Sequence, residues 1–292
     1  MKPAIVMQSD FGIDSGLVAC MHGICKMIDP QLETYDITHQ IPAFQIREAS
    51  YCLQYTVPCW PSGTVFVSVV DPGVGTSRRA SVAKLKNGSY VVTPDNGTLT
   101  FLHDMIGVEK IREIDEKTNR YQKTKNVSVF HGRDLFAYCA AKLAAGKITY
   151  EEVGPEYPVE EIILHELHHA EVTTGDVKAM IQGYDPFGSA EVSVRNEEFV
   201  QAGFQLGERL RVSVSDAKRV ILDKEILYER SFGYVPKGED VLFQDLASFV
   251  TIASNEANFK KKYGLCEEQQ YKVRIRRTNR DCEKKSVNKI LL

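Results

Sequence analysis

Hydrophobic and polar positions follow two kinds of pattern along the first half of the chain. Short apolar runs rich in β-branched residues occur at Ala4–Met7 and Thr64–Val70, and each predicts a buried strand. Gly16–Ile28 and Asp134–Ala145 have apolar residues at helical spacing, and each predicts a helix that ends at a turn signal. This alternation of strands and helices favours an α/β domain with a mainly parallel sheet.

Further elements of the first half fit the same pattern. We expect a strand at Glu33–Ile37 and a helix at Ile46–Tyr55. Ser81–Leu85 and Tyr90–Thr93 are predicted to form a hairpin, because the Asn-Gly pair between them is a strong turn signal. In such a domain the loops at the carboxyl ends of the strands are the expected place for function.

The second half of the chain has a different pattern. From Ile162 onward the apolar segments are short and strand-like, and glycine-containing turns separate them. These features predict a smaller, mainly β domain, either a barrel or a sandwich. We place the boundary so that residues 1–168 form the N-terminal domain and residues 169–292 form the C-terminal domain.

Composition and charge exclude several classes of protein. The 292 residues include 36 Lys and Arg against 39 Asp and Glu, so a net charge of −3 gives no reason to expect nucleic-acid binding. The chain has no apolar run long enough for a membrane span and no signal-peptide pattern at its start. Its seven cysteines form no CxxC pair, which favours reduced thiols. We therefore expect a cytoplasmic protein without a membrane partner.

Two segments match known metal-binding or cofactor-binding motifs, but their surroundings do not support such a site. His165-Glu166-Leu167-His168-His169 matches the HExxH zinc signature, but β-forming residues surround it, and two histidines four residues apart share a metal only on a helix. Gly73-Val74-Gly75 begins a dinucleotide fingerprint, but Arg78 occupies the place of its third glycine. The sequence therefore predicts neither a metal nor a cofactor.

Several polar loops follow the apolar strands, and together they form a recognisable set. The segments are SDFG (9–12), DITHQIPAF (36–44), VVDPGVGTSRR (69–79), PDNG (94–97), FHGRDLFA (130–137) and DPFG (185–188). In this order they resemble the S-adenosyl-L-methionine (SAM) hydroxide adenosyltransferases, the SAM hydrolases related to fluorinase and chlorinase. The resemblance extends over nearly the whole chain and is strongest in the N-terminal half.

The resemblance implies a fold, an assembly and a reaction. The fold would be an N-terminal α/β domain followed by a C-terminal β-barrel. The assembly would be a homotrimer whose active sites each lie between one subunit's N-terminal domain and its neighbour's C-terminal domain. The reaction would be attack of water-derived hydroxide on the ribose C5′ of SAM, which gives adenosine and L-methionine.

The same resemblance assigns candidate site residues. The family's catalytic Asp, Arg and His fall on Asp71, Arg78 and His131. The remaining candidates are substrate-binding residues: Asp10 for the ribose hydroxyls, Phe44, Phe130 and Gly132 around the nucleoside, Asp185 for the methionine amino group, Ser189 where the family usually has Asn, and Ser254 and Asn255 near the methionine carboxylate.

Elementary chemistry narrows the role of each catalytic candidate. Arg78 cannot be the base because a guanidinium keeps its proton, but it can hold water or stabilise hydroxide. Either Asp71 or His131 could accept the proton of water. Fluorinases have Tyr at both of these positions, so we do not expect halide chemistry. The alternative is a protein that binds SAM or adenosine without turnover, for which Ser189 is the only argument.

Overall fold

The computed structural model describes residues 2–245, 248–266 and 269–278. The chain divides into two compact units, Met1–Glu166 and Leu167–Leu292. Cys282, one of the predicted reduced thiols, lies outside the described residues. The other six cysteines are free thiols.

The first unit is built on a seven-stranded sheet with the spatial order β2-β1-β3-β5-β4-β6-β7. Its strands are β1 Ile5–Ser9, β2 Thr34–Thr38, β3 Val65–Val69, β4 Ala80–Leu85, β5 Tyr90–Pro94, β6 Val108–Glu113 and β7 Glu156–Tyr157. Strands β2, β1, β3 and β5 pair in parallel, and β4, β6 and β7 continue the sheet in antiparallel pairings. The carboxyl ends of the parallel strands therefore meet at one edge, where the polar loops begin.

Helices cover both faces of this sheet. They are α1 Leu17–Ile28, α2 Ile46–Thr56, α3 Thr100–Met105, α4 Glu116–Asn119, a π-helical segment Gly132–Ala137 and α5 Tyr138–Ala144. Ile5 and Val67 point to the face covered by α1 and α5, whereas Val6 and Phe66 belong to the core on the opposite face. Because both faces are buried, the central strands are apolar throughout, as the sequence pattern indicates.

The second unit is a closed seven-stranded barrel. Its strands are β9 Asp176–Tyr184, β10 Ala190–Arg195, β11 Arg209–Ser215, β12 Val220–Tyr228, β13 Asp240–Gln244, β14 Phe249–Ser254 and β15 Lys272–Arg277. Their order is β10-β14-β13-β12-β11-β15-β9, and β9 pairs with β10 to close the ring. The strand β8 Glu171–Thr173 pairs with β9, and two short helices, α6 Asn196–Gln201 and α7 Phe259–Tyr263, complete the unit.

The predicted fold class is confirmed: an α/β unit with a parallel sheet core is followed by a β-barrel. The barrel also resolves the alternative between barrel and sandwich. The prediction of a hairpin is confirmed by the antiparallel pairing of β4 with β5. Among the helices of the described residues, none is long and apolar enough to span a membrane.

Candidate active site

Three side chains of the first unit meet after strand β3: Asp71 and Arg78 come from the loop between β3 and β4, and His131 is the residue before the π-helical segment. The Arg78 guanidinium donates from Nε to Asp71 Oδ1 at 2.9 Å and from Nη2 to Asp71 Oδ2 at 2.5 Å. The same Nη2 lies 2.9 Å from Nδ1 of His131. The structure thus brings together the three residues that the sequence predicts to be catalytic.

Local backbone features let Arg78 fold back onto Asp71. A Cβ at Gly73 would lie only 3.1 Å from Cγ of Arg78, so a glycine leaves room for the arginine stem. The carbonyl of Val70, just before Asp71, accepts a hydrogen bond from Asn96 Nδ2 at 2.9 Å. The PDNG loop therefore holds the end of β3 in place, which fixes where Asp71 begins its turn.

The hydrogen bonds among the three side chains define the state of the imidazole. Arg78 can only donate, so Nδ1 of His131 accepts, and the neutral ring carries its proton on Nε2. His131 is only 3% exposed, and burial, reinforced by the positive charge of Arg78, lowers the pKa of His131 below its usual value. The site is therefore built around a neutral histidine.

One donor group of Arg78 remains available. Nε and Nη2 are engaged by Asp71 and His131, whereas Nη1 makes no hydrogen bond to any residue within the described ranges. The guanidinium plane is fixed by these contacts and by the ring of Phe136, whose centroid lies 5.2 Å from Cζ. An oriented amino group of this kind can hold one oxygen ligand.

Asp10 and Phe44 lie together beside the ends of β1 and β2. The backbone N–H of Phe44 donates to Asp10 Oδ2 at 3.0 Å. Phe44 has a positive φ of 68° and its ring is 70% exposed. A large apolar side chain held outward at a strained position is a feature expected of a ligand-binding surface.

Phe130 and Gly132 are packed against Phe11 of the SDFG loop. The rings of Phe11 and Phe130 meet edge to face with centroids 5.7 Å apart. A Cβ on Gly132 would come within 2.8 Å of the Phe11 ring, so only glycine permits this approach. Gly132 also begins the π-helical segment, a rare geometry that is frequent at functional sites.

The second unit carries the other predicted binding residues. Asp185 accepts two hydrogen bonds at Oδ1, from the N–H of Phe187 at 2.9 Å and from the N–H of Ser189 at 2.8 Å. This carboxylate therefore shapes its own loop and keeps Oδ2 for another donor. Phe187 is 78% exposed, and the sequence analysis missed it although it lies within the DPFG segment.

Ser254 and Asn255 lie together at the end of β14, and both have partners within the barrel. The Ser254 hydroxyl donates to Asp240 Oδ1 at 2.6 Å. Asn255 Nδ2 donates to the carbonyl of Val235 at 2.7 Å. The Ser254 hydroxyl therefore retains only acceptor capacity, whereas the Asn255 amide keeps its second N–H group, which a carboxylate ligand could accept from. Their predicted contact with the methionine carboxylate remains a prediction.

The histidine-rich segment before the barrel is not helical. His165 is half-buried against the ring of Phe101, 5.5 Å between centroids, and burial lowers its pKa below the usual value. His169 is exposed. Within the described ranges, no three or more His, Cys, Asp or Glu side chains lie together in a group that could hold a metal ion.

Comparison with protein-family models places both halves of the chain in one family. Residues 5–154 match the SAM hydroxide adenosyltransferase N-terminal domain, and residues 179–272 match the corresponding C-terminal domain. These two matches are in the same order as the two units of the structure.

Individual relatives point the same way. The chain is 32% identical to an (R)-S-adenosyl-L-methionine hydrolase of Thermus thermophilus, with 91% of this chain and 97% of the relative covered. It is 24% identical to a fluorinase of Actinopolyspora mzabensis, over 93% and 97% of the two chains. Among solved structures, an uncharacterized conserved protein from Thermotoga maritima superposes with a TM-score of 0.83 at 32% identity, covering 92% and 99%.

Proposed function

Because the chain belongs to the SAM hydroxide adenosyltransferase family, we propose that it hydrolyses SAM to adenosine and L-methionine. The observation that carries the proposal is the hydrogen-bonded cluster of Asp71, Arg78 and His131. Relatives of similar length that are named as SAM hydrolases support it.

The reaction is a displacement at carbon. The oxygen of water forms a bond to C5′ of the ribose while the C5′–S bond breaks and its electron pair returns to sulfur. Methionine leaves as a neutral thioether, so the leaving group needs no acid. The difficulty is to place one oxygen nucleophile in line with the breaking bond, and positioning of this kind is worth up to roughly 7–11 kcal/mol.

Asp71 is the proposed proton acceptor. His131 has its Nδ1 engaged by Arg78 and a proton already on Nε2, so its ring cannot accept another proton without losing the Arg78 contact. The Asp71 carboxylate keeps lone pairs beyond those that accept from Arg78. We propose that the neutral His131 accepts a hydrogen bond from Arg78 and thereby orients the Arg78 guanidinium.

Arg78 is proposed to hold the nucleophile. Its Nη1 carries two N–H groups that neither Asp71 nor His131 uses, and the positive charge stabilises the hydroxide character that develops on water. The guanidinium is fixed before the substrate arrives, because Asp71, His131 and Phe136 contact it. Preorganisation of this kind lowers the cost of reorientation during the reaction.

Substrate recognition is proposed to use exposed aromatic rings and carboxylates. Asp10 would accept from the ribose hydroxyls, and Phe44 and Phe130 would flank the nucleoside. Asp185 would accept from the methionine ammonium through Oδ2. Phe187, exposed beside Asp185, adds a second apolar surface for the nucleoside.

The assembly and the compartment also belong to this proposal. We propose a cytoplasmic homotrimer that acts on a small molecule, because the resemblance implies that assembly and the net charge of −3 favours no nucleic-acid partner. Light scattering coupled to size-exclusion chromatography tests the trimer. A monomeric mass for the active protein would refute it.

One experiment separates the reaction from its alternatives. Purified protein is incubated with SAM in chloride buffer, and the products are separated by chromatography. Adenosine with an equal amount of methionine supports hydrolysis. Bound but unchanged SAM would support the binding protein instead, and 5′-chloro-5′-deoxyadenosine would support a halogenase.

A further inference from the structure

A second chain of hydrogen bonds runs beside the candidate active site. Ser9, at the end of β1, has its Oγ 2.7 Å from Nδ1 of His39. His39 Nε2 lies 3.0 Å from Oδ1 of Asp36 on β2. Ser9 is fully buried and His39 is 4% exposed. None of these three residues belongs to the cluster at Asp71.

Hydrogen bonds in the order Ser, His, Asp are also found in nucleophilic catalytic triads, but Ser9 cannot act as a nucleophile. Its hydroxyl is fully buried, and its oxygen also accepts a hydrogen bond from the N–H of Phe11 at 3.2 Å. The ionised Asp36 only accepts, so His39 carries its proton on Nε2 and Nδ1 accepts from the Ser9 hydroxyl. These hydrogen bonds therefore link Asp36 through His39 and Ser9 to the backbone of Phe11, just after β1.

His39 holds the same loop through its backbone as well. Its carbonyl accepts from the N–H of Gly12 at 2.7 Å, and Gly12 has a φ of +71° that closes the turn. The side chain and the carbonyl of one residue therefore fix both ends of the segment from Ser9 to Gly12. Asp10 lies between these two anchors, and its carboxylate also orders the N–H of Phe44.

We propose that His39, oriented by Asp36, is a positioning residue that aims the Asp10 carboxylate at the ribose hydroxyls. The proposal rests on the proposed function, because it takes the ribose of SAM as the ligand of Asp10. His39 acts through Ser9 and the loop backbone. Its loss should therefore weaken nucleoside binding and leave the chemical step at Asp71 unchanged.

Three substitutions distinguish a positioning role of His39 from a general contribution to the stability of the fold. His39→Gln can keep a donor toward Asp36 but offers no acceptor at the Nδ1 position, whereas His39→Asn offers a carbonyl oxygen there for Ser9. His22→Gln is the matched control, because His22 Nε2 also contacts Asp36, at 3.2 Å, but has no contact with Ser9 or the SDFG loop.

Steady-state kinetics with SAM give the first readout. We expect His39→Gln to raise KM about tenfold, the effect of removing one partner of a buried hydrogen bond, with kcat within about twofold of the unchanged protein. His39→Asn should recover most of the KM, and His22→Gln should behave as the unchanged protein. A fall in kcat at constant KM, or equal losses for His39→Gln and His39→Asn, would overturn the proposal.

Calorimetry with nucleosides gives a readout that needs no turnover. The unchanged protein should bind adenosine more tightly than 2′,3′-dideoxyadenosine, and His39→Gln or Ser9→Ala should reduce this difference. In an Asp10→Asn background, His39→Gln should have little further effect, because the two residues act on one contact. Additive losses, or no preference for adenosine in the unchanged protein, would overturn the proposal. Intact preferences with no hydrolysis of SAM would contradict only the proposed function.

Discussion

The Arg78 guanidinium pairs with the Asp71 carboxylate through two of its nitrogens, with Nε 2.9 Å from Oδ1 and Nη2 2.5 Å from Oδ2. Both side chains are largely shielded from water, at 10% and 5% exposure. A bidentate pair in a shielded site has defined geometry as well as charge. The pair therefore fixes the orientation of both side chains before a water molecule binds.

The first prediction concerns the acceptor. Asp71→Asn keeps the size of the side chain but removes the charge that accepts a proton and holds Arg78. We expect kcat to fall by roughly 10²–10⁴-fold, the usual contribution of a general base, while the dissociation constant for SAM changes little. Single-turnover kinetics and calorimetry measure the two quantities separately. Parallel losses in both would show that Asp71 binds substrate and does not act on water.

The second prediction concerns pH. Burial and the charge of Arg78 hold the pKa of His131 below the ordinary histidine value of about 6.5. Protonation would remove the acceptor that Nδ1 offers to Arg78, so kcat/KM should fall on the acid side with an apparent pKa below about 6.5. The lowered pKa also makes the free energy of unfolding depend on pH. The contribution of the neutral His131 ring is present above about pH 6.5, the ordinary histidine pKa, and is lost as the pH falls through the lower pKa of the folded protein.

A variant checks that assignment. His131→Asn can offer a carbonyl oxygen to Arg78 without titrating, so the acid limb assigned to His131 should disappear from its pH profile. The profile of kcat/KM between about pH 4.5 and 8 measures this. An unchanged acid limb in the variant would assign that titration to another group.

The third prediction concerns a close approach of two loops. Gly132→Ala places a methyl group 2.8 Å from the Phe11 ring, so Phe11 and the SDFG loop must shift. We expect SAM affinity to fall at least about tenfold, since a contact closer than van der Waals distance displaces the loop that carries Asp10. Gly23→Ala is the control: Gly23 lies in α1, and its added Cβ has no neighbour within 4 Å. That control should stabilise the protein by about 0.5–1 kcal/mol and leave affinity unchanged.

The fourth prediction concerns the barrel. Asp240 is buried and accepts hydrogen bonds from Lys224, Lys262, Ser254 and Tyr263. Burial alone would raise the pKa of Asp240, but these donors hold it below its usual value. Asp240→Asn should lower the free energy of unfolding by about 2 kcal/mol. Lys224 and Lys262 would lose the negative charge that they pair with, and the Ser254 and Tyr263 hydroxyls would lose a charged acceptor.

Chemical denaturation measures this loss, and an exposed ion pair provides its control. Asp223 pairs with Arg211 on the outer face of the barrel, and both side chains are well exposed. Asp223→Asn should change the unfolding free energy by less than about 1 kcal/mol. Because the pKa of Asp240 is depressed, its contribution is present above about pH 4 and is lost as the pH falls further. Equal effects of the two substitutions would contradict a special role for Asp240.

Much of the first unit could be predicted from apolar periodicity. The helix expected at Gly16–Ile28 is α1, Leu17–Ile28, and the strand expected at Thr64–Val70 is β3, Val65–Val69. These segments have a single strong period and clear end signals. The π-helical turn at Gly132–Ala137 could not be foreseen, because its apolar spacing is compatible with an ordinary helix and tertiary contacts select the wider turn.

The candidate site was only partly predictable for a similar reason. Family motifs indicated Asp71, Arg78 and His131 as candidates, and the structure adds that Arg78 donates to both of the others. Which nitrogen of His131 accepts depends on that distant partner and cannot be read from residue order. The pairing of Ser254 with Asp240 depends on the register of β13 and β14, which a motif does not specify.

The most direct test of the account follows the oxygen atom. SAM is hydrolysed in water enriched in oxygen-18, and the products are analysed by mass spectrometry. The account predicts one labelled oxygen on the 5′ carbon of adenosine and unlabelled methionine. Unlabelled adenosine, or label in methionine, would contradict attack of water on the ribose carbon.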